Sequence, residues 1–535
     1  MLGKQVVIEF LKKNNINNIF HLPGIHTLPL NEELTKHNIN VFVGRYEANI
    51  IFMADGYART SGSVGVIIVT PGPGLGNTVS GCMEAYGDDV PLLIIHIDAK
   101  RKEKGRGVLH ELAEPEGIFT HFTKKTFVVS NPNEIAQILD NAYKTAVSGR
   151  KGPVVVSLPY DFLERKISLS SRAGSQESGV RDIFKAKQGI DTDCSRLEEI
   201  LHGKKRPVIL GGKTLMFKEA RPILNEMCTE ASIPFLTSTG GKGIVREDSI
   251  YAFGNIIQKG IVRGMIASSD IVIAIGTRLR DTDAKRRGVK IGELIHIDID
   301  DRWIDKNYPA TLKITGDVEY ALKSLYQMLK GRKFEWNLVE MKRAKNKEYE
   351  ALKKTSPGFR MIELIRQVIP EDTITVCDLN YPSYWAEYFF PVYHQNAFLM
   401  PRGISPIFYC LPAGIGGKIG RFESPCLCLA GDGSLLPTIA ELATIKKYNI
   451  PAVIFVQNNN SFGILEDIMD ERYGISGSMK LENPDFVKIA GAFNIKAKRV
   501  KTLDGLRRVF LRDVAWDEPF LIEFESPVLP PPWEV

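Results

Sequence analysis

The stretch "LAGDGSLLPTIAELATIKKYNIPAVIFVQNNNSFG" (429–463) decides how the chain is read. An apolar run ends in a Gly-Asp-Gly turn, a helical pattern follows, and a second apolar run ends in three asparagines. Runs apolar on both faces and joined through a helix are strands of a parallel sheet covered on both sides. Ligands of such open sheets bind just outside the carboxyl ends of the strands. Asp432 and Asn459 fall there, with residues 437–448 as the expected crossover helix. One carboxylate and one amide oxygen are too few for a calcium cage. They suit Mg²⁺, which takes about six oxygens, keeps waters and completes its shell with phosphates. Gly431 and Gly433 allow close backbone approach and, followed by Ser434, free N–H groups at a helix start where phosphate binds. Asn458 and Asn460 can hold the second turn, and the Ser461 carbonyl is within reach of the same ion. The plainer alternative is an Asx turn at Asp432 and a helix cap at the asparagines, with no ion.

The same alternation runs through the whole chain. "VGVIIVT" (64–70), "PLLIIHID" (91–98) and "GPVVVSLP" (152–159) form a first set of expected strands. "RPVILGG" (206–212), "DIVIAIGT" (270–277) and "ELIHIDID" (293–300) form a second. "ITVCDL" (374–379), "PCLCLAGDG" (425–433), "PAVIFVQNN" (451–459) and "FLIEFES" (520–526) form a third. The expected fold class is α/β, with three doubly wound parallel-sheet domains at 1–168, 183–335 and 356–535. A Ser/Gly-rich segment (168–182) reads as a linker, and a strongly charged helical one (331–358) as a connecting segment. No solenoid repeat is present, and the first and third domains are open to being two versions of one fold.

A chain of 535 residues exceeds one core. Hydrophobic content of 44% and charged content of 25% are ordinary for a soluble globular protein. No apolar run approaches the roughly 18–20 residues that cross a bilayer, and Lys4 and Lys12 interrupt the amphipathic start, so a cytoplasmic location is expected. Seven scattered cysteines read as reduced structural thiols; Cys426 and Cys428 have strand spacing rather than that of a zinc site. A net charge of +6 is small for this length. The basic run "KRKEKGR" (100–106) has no interleaved aromatic residue and reads as a solvated loop, not a nucleic-acid patch.

Gly431-Asp432-Gly433, followed about 25 residues later by Asn458-Asn459, resembles the thiamine diphosphate motif of the acetolactate synthase and 2-oxo acid decarboxylase superfamily. That resemblance implies Asp432, Asn459 and the Ser461 carbonyl as Mg²⁺ ligands. It also implies Ser434, Phe462 and Gly463 in the cofactor site. The cofactor needs a glutamate in a mostly apolar wall, where its carboxyl group can share a proton with the pyrimidine N1′. "VGRYEANIIFMADGYART" (43–60) offers Glu47, at the start of a helix continued by Ile50, Ile51, Met53 and Ala54, and is similar to the family's glutamate stretch. Alone, Glu47 is equally a first-turn carboxylate favoured by the helix dipole. "FHLPGIHTLPL" (20–30), with Gly24, and "TPGPGLGNTVSG" (70–81), with Pro73 and Asn77, resemble the family's loops beside the cofactor. "RGISPIFYCLPAGIGGKIG" (402–420) resembles the segment whose bulky residue bends the cofactor. On that register Ile407 is the wedge and the Ser405 carbonyl accepts from the 4′-amino group. Phe408 and Cys410 depart from family glycines. "GTRLRD" (276–281) and "LIHIDIDDRWIDKNYPA" (294–310) are similar to the family's central domain.

The shared chemistry implied is decarboxylation of a 2-oxo acid. The resulting enamine is then protonated to an aldehyde or transferred to a second 2-oxo acid. None of the nine histidines neighbours another, unlike the pyruvate decarboxylase branch. His110, in "GVLHELAEPEG" (107–117), stands where acetolactate synthases carry glutamine. There it either shuttles protons, worth about 10²–10⁴-fold in rate, or is structural. His26, beside Ile25, has the plainer structural reading and stays a catalytic candidate. Ile468 replaces an expected tryptophan, whereas Arg278 matches an arginine near substrate and flavin. The expected function is acetolactate synthase-like. The alternatives are a benzoylformate-type decarboxylase and a non-catalytic relative that binds a nucleotide through its middle domain. The resemblance further implies a homodimer or homotetramer with the cofactor between subunits, and leaves FAD in the middle domain open.

Overall fold

The computed structural model describes residues 1–167, 194–475, 477–526 and 529–533, so the linker at 168–182 lies outside the described residues. It contains three six-stranded sheets whose strand pairings are parallel. The first runs, in spatial order, Asn40–Val43, Asn18–His21, Gly65–Val69, Leu92–Asp98, Val154–Pro159, Lys125–Val128. The second runs Leu312–Thr315, Leu294–Asp298, Ile271–Ile275, Pro207–Gly211, Phe235–Thr237, Ala252–Asn255. The third runs Phe398–Leu399, Ile374–Cys377, Cys426–Gly431, Val453–Asn458, Phe520–Glu525, Lys496–Val500.

Numbered within each sheet, the first and third share one strand order, 2-1-3-4-6-5, and the middle sheet runs 6-5-4-1-2-3. The outer domains are therefore two copies of one topology, as the sequence left open. The strand order of the middle sheet reverses between Pro207–Gly211 and Ile271–Ile275, which pair in parallel. Every apolar run singled out in the sequence is a strand. The strands without such a run are short or lie at an edge; Lys496–Val500 is half exposed along its length.

The expected crossover helix over 437–448 is in two pieces, with a separate helical turn before it. A single turn, Asp432–Leu435, precedes a 3₁₀ segment, Leu436–Glu441, and the α-helix proper is Leu442–Tyr448. Pro437 has no N–H to donate to the preceding turn, which favours this tightened segment.

The first and third domains share a core. The helix Glu47–Ser61 lies against the helix Cys410–Gly420, with Ile50, Ile51 and Met53 in one apolar cluster with Leu411, Ala413 and Ile415. A Cβ on Gly56 would stand 2.0 Å from the Ala413 carbonyl oxygen, and one on Gly416 1.7 Å from that of Met53. Glycine is what lets the two backbones touch. The charged connecting segment is helical over Leu338–Thr355, capped by the Asn337 side chain accepting from the Glu340 N–H at 3.1 Å. The six cysteines whose side chains are described are buried and form no disulfide. No helix among the described residues is long and apolar enough to cross a membrane.

Candidate active site

The strands Cys426–Gly431 and Val453–Asn458 are direct neighbours, with Gly431 opposite Gln457. Asp432 and Asn459 thus leave the sheet side by side. The Gly431 N–H donates to Ser434 Oγ at 3.0 Å, closing the first helical turn. The Gly433 N–H donates to Asp432 Oδ1 at 2.9 Å, and the Ser461 N–H to Asp432 Oδ2 at 3.3 Å. Burial pushes the Asp432 carboxyl group above its usual range, against these hydrogen bonds. Ile407, Gly431, Asp432, Gly433, Ser434, Asn459, Ser461, Phe462 and Gly463 all line one cavity of about 300 Å³. Its remaining wall is partly apolar, with Leu379, Tyr384, Ile464 and Leu465.

This donor set fits a divalent ion carrying a diphosphate. Asp432, Asn459 and Ser461 line one cavity and between them offer a carboxylate, an amide oxygen and a main-chain carbonyl, a set that leaves coordination places for phosphate and water. Among the described residues no trio of His, Cys, Asp or Glu is gathered for a metal, so a softer or all-carboxylate site is not the competitor. A Cβ on Gly433 would meet the Phe462 ring at 2.5 Å, so that turn is shaped for close backbone approach.

A second wall forms on the first domain. Glu47 opens its helix, half-buried, and accepts from Asn77 Nδ2 at 3.0 Å; the Tyr46 hydroxyl donates to Asn77 Oδ1 at 3.3 Å. The turn Pro73–Gly76 stands beside it, since a Cβ on Gly74 would lie 3.6 Å from Glu47 Oε1. Gly24 abuts Thr70 at the base of that loop. His110, in the left-handed region with φ 62°, backs onto Gly72. The rings of His26 and His110, 84 residues apart in sequence, lie 5.9 Å apart between centroids. Burial first, then the neighbouring His110, lowers the pKa of His26, whose Nδ1 has no partner among the described residues.

No residue of the Glu47 wall lines the Asp432 cavity. Every residue lining the Asp432 cavity lies between Leu379 and Leu465. Ser405 stands apart from that lining, in the left-handed region with φ 60°.

Four positions were not legible as site residues. Buried Glu84 accepts from four successive backbone N–H groups, Arg402 to Ser405, at 2.8–3.1 Å, and so holds the loop that carries Ile407. Asn483 Nδ2 donates to Asp432 Oδ2 at 2.8 Å and to Asn458 Oδ1 at 3.1 Å. Glu441 accepts from the Arg45 N–H and Asn49 Nδ2, both at 3.0 Å, and so ties the Glu47 helix to the third domain. Tyr381, in the cavity wall, donates to Asp467. None carries a local signal, because each partner is distant in sequence.

Arg278 lies at the strand-order reversal of the middle sheet, where a nucleotide would bind. Its guanidinium pairs with Asp89, donates to the Gly87 carbonyl and lies 5.2 Å from the Trp303 ring centre. The cavity there is about 90 Å³ and is also lined by Arg59, Lys213, Arg280 and Arg402. These cations are paired with acidic neighbours: Arg59 and Arg280 with Asp88, Arg280 also with Asp283, and Arg402 with Glu387.

Comparison with known proteins gives three matching family models. They are the thiamine pyrophosphate enzyme N-terminal TPP binding domain over residues 1–117, the central domain over 194–325 and the C-terminal TPP binding domain over 380–524. The chain is 28% identical to a probable acetolactate synthase large subunit of Methanocaldococcus jannaschii, covering 99% of this chain and 94% of that one. It is 30% identical to a probable 2-ketoarginine decarboxylase of Pseudomonas aeruginosa, covering 94% and 90%. It is 26% identical to the acetolactate synthase isozyme 2 large subunit of Escherichia coli, covering 99% and 98%.

Proposed function

We propose, for a chain that belongs to the thiamine pyrophosphate enzyme family and acts with thiamine diphosphate on 2-oxo acids, a Mg²⁺-dependent decarboxylation followed by transfer to a second 2-oxo acid. The observation that carries the reading is the single cavity onto which Asp432, Asn459, Ser461 and the Gly431–Ser434 turn converge. Asp432, the Asn459 amide and the Ser461 carbonyl hold the ion, and the N–H groups of the helical turn after Gly431 face the diphosphate. When bound, thiamine diphosphate supplies the carbon nucleophile for the 2-oxo carbonyl and the electron sink for the bond to CO₂. Glu47 holds a proton against the cofactor's pyrimidine ring, and Asn77 fixes its carboxylate. Ile407, Leu379, Ile464 and Leu465 exclude water from the reacting carbon and favour an apolar substrate side chain.

The site is completed by a second copy of the chain. Ile25, Leu28 and Leu109 on the Glu47 side are more than half exposed, as is Leu465 at the rim of the Asp432 cavity. Apolar surface of this kind, on two walls that need each other, supports a dimer in which each Glu47 wall covers the partner's Asp432 cavity.

A second reading is simple decarboxylation with release of an aldehyde. The closeness of His26 and His110 favours it, since two imidazoles beside Glu47 can deliver the proton that ends the reaction. The similarity to a 2-ketoarginine decarboxylase points the same way. Product analysis after incubation with pyruvate, thiamine diphosphate and Mg²⁺ separates the two. Acetolactate is expected; acetaldehyde without acetolactate overturns the first reading, and a panel of 2-oxo acids then identifies the substrate.

A further inference from the structure

The helix Leu338–Thr355, between the second and third sheets, turns two lysines inward, away from the cofactor cavity. Lys342 Nζ donates to the carbonyls of Ser249 and Ala252 at 2.8 and 2.7 Å, and buried Lys345 Nζ to that of Phe253 at 2.8 Å. Each nitrogen also faces an aromatic ring, Lys342 that of Phe253 at 5.5 Å and Lys345 that of Tyr349 at 5.1 Å. Neither lysine forms an ion pair among the described residues. The carboxylates around them have other partners. Lys242 holds Glu247 at 3.0 Å, Arg246 holds Asp248 at 2.9 Å, and Glu348 accepts from the Ile261 N–H at 2.9 Å. Carbonyls and ring faces do not neutralise an ammonium, so burial here favours the uncharged amine. The lysine pKa values are lowered accordingly, chiefly by desolvation, to about 8 for Lys342 and about 7 for Lys345.

An uncharged buried amine beside open space is a nucleophile. Both lysines line a cavity of about 300 Å³ whose wall is largely polar, with Glu247, Asp248, Gln258, Asn346 and Tyr349. An electrophile that reaches Lys345 must pass these groups without bringing a charge of its own. Carbon dioxide is small and uncharged, and the decarboxylation proposed above releases it from the same molecule. We propose that Lys345 is a carbamylation site, modified reversibly by carbon dioxide. Its uncharged Nζ attacks the carbon, the N–C bond forms, and one C=O electron pair moves onto oxygen. The proton displaced from nitrogen passes to Lys342, and nothing is oxidised or reduced. The products are a carbamate on Lys345 and an ammonium on Lys342, an ion pair made in place from two uncharged groups. The carbamate N–H keeps the Phe253 carbonyl, and Gln258 and Asn346 carry amide donors for its oxygens. The cavity is walled by the second domain, the connecting helix and the third domain, so the new charge pair sits at their joint.

The test is chemical trapping on the full-length protein with thiamine diphosphate and Mg²⁺ present. The protein is equilibrated with isotopically labelled bicarbonate at neutral pH, and carbamates are then alkylated with triethyloxonium ion. Mass spectrometry of the peptides locates the labelled adduct. It is expected on Lys345, in excess over exposed Lys347 of the same helix on the order of a hundredfold. The excess arises because an ordinary solvated lysine is uncharged only about a thousandth of the time at that pH. Lys342→Met removes the proton acceptor and the counter-charge, and should lower the Lys345 adduct on the order of tenfold. No adduct on Lys345, an equal adduct on Lys347, or an undiminished adduct in Lys342→Met overturns the proposal. The wild-type comparison of Lys345 with Lys347 decides by itself if that variant misfolds. The proposal takes only its supply of carbon dioxide from the reaction proposed above. Bicarbonate is added from outside and no turnover is read, so a failure here leaves that reaction untouched.

Discussion

Asn483 holds Asp432 and Asn458 with one amide, and so fixes the carboxylate that is proposed to meet the ion. Partners of this kind tune metal affinity by about 10–100-fold. Asn483→Ala is expected to raise the Mg²⁺ concentration for half-maximal activity by about that factor, with kcat at saturating Mg²⁺ little changed, as a Mg²⁺ titration of initial rates will show. Glu47 is the opposite case. Glu47→Gln keeps the contact to Asn77 but cannot move a proton, so kcat should fall by about 10²–10⁴-fold while calorimetry shows thiamine diphosphate still bound. Wild-type turnover in that variant would remove Glu47 from the mechanism.

At the scale of elements, the site depends on a contact between two helices. Glu47–Ser61 and Cys410–Gly420 touch backbone to backbone at Gly56 and Gly416. Overpacking of this kind costs about 1–3 kcal/mol. Gly416→Ala should lower unfolding stability by that amount, measured by urea titration, and reduce activity by shifting the segment 402–409 that leads into the second helix. That segment is also held by Glu84 from the first domain. Its position is therefore set by a contact more than 300 residues away in the chain, and Ile407 has a local motif but no local anchor.

For the whole molecule, the proposed site needs two chains. Mixing Glu47→Gln with Asp432→Ala, each inactive alone, should restore about a quarter of wild-type activity. Half the dimers are then mixed, and each mixed dimer has one intact site of two. No recovery after subunit exchange would place the site within one chain. Stability also has an acid limit set by His96, fully buried in the first sheet, whose pKa desolvation lowers to about 4. Its folded pKa lies below the unfolded value of about 6.5, so the unfolded chain binds the proton more readily. The associated stability is complete above about pH 6.5 and is lost as pH falls toward 4, by about 3 kcal/mol in all. Urea midpoints for wild type and His96→Asn should converge over that window.

The sequence by itself determined the three-layered α/β plan and the pairing of Asp432 with Asn459. Both are written locally: runs apolar on both faces specify buried strands, and one crossover necessarily brings two strand ends together. Glu47 and the Pro73–Asn77 loop were legible for the same reason, as motifs within a single strand–helix turn. Only the tertiary structure decided the rest. It showed the shared topology of the outer sheets, the meeting of His26 with His110, the clasp of Glu84 on residues 402–405, and the inward lysines of the connecting helix. Those contacts form because packing buries groups from distant segments against one another. A buried polar group takes whichever partner the fold brings near, and no spacing along the chain records which one that is.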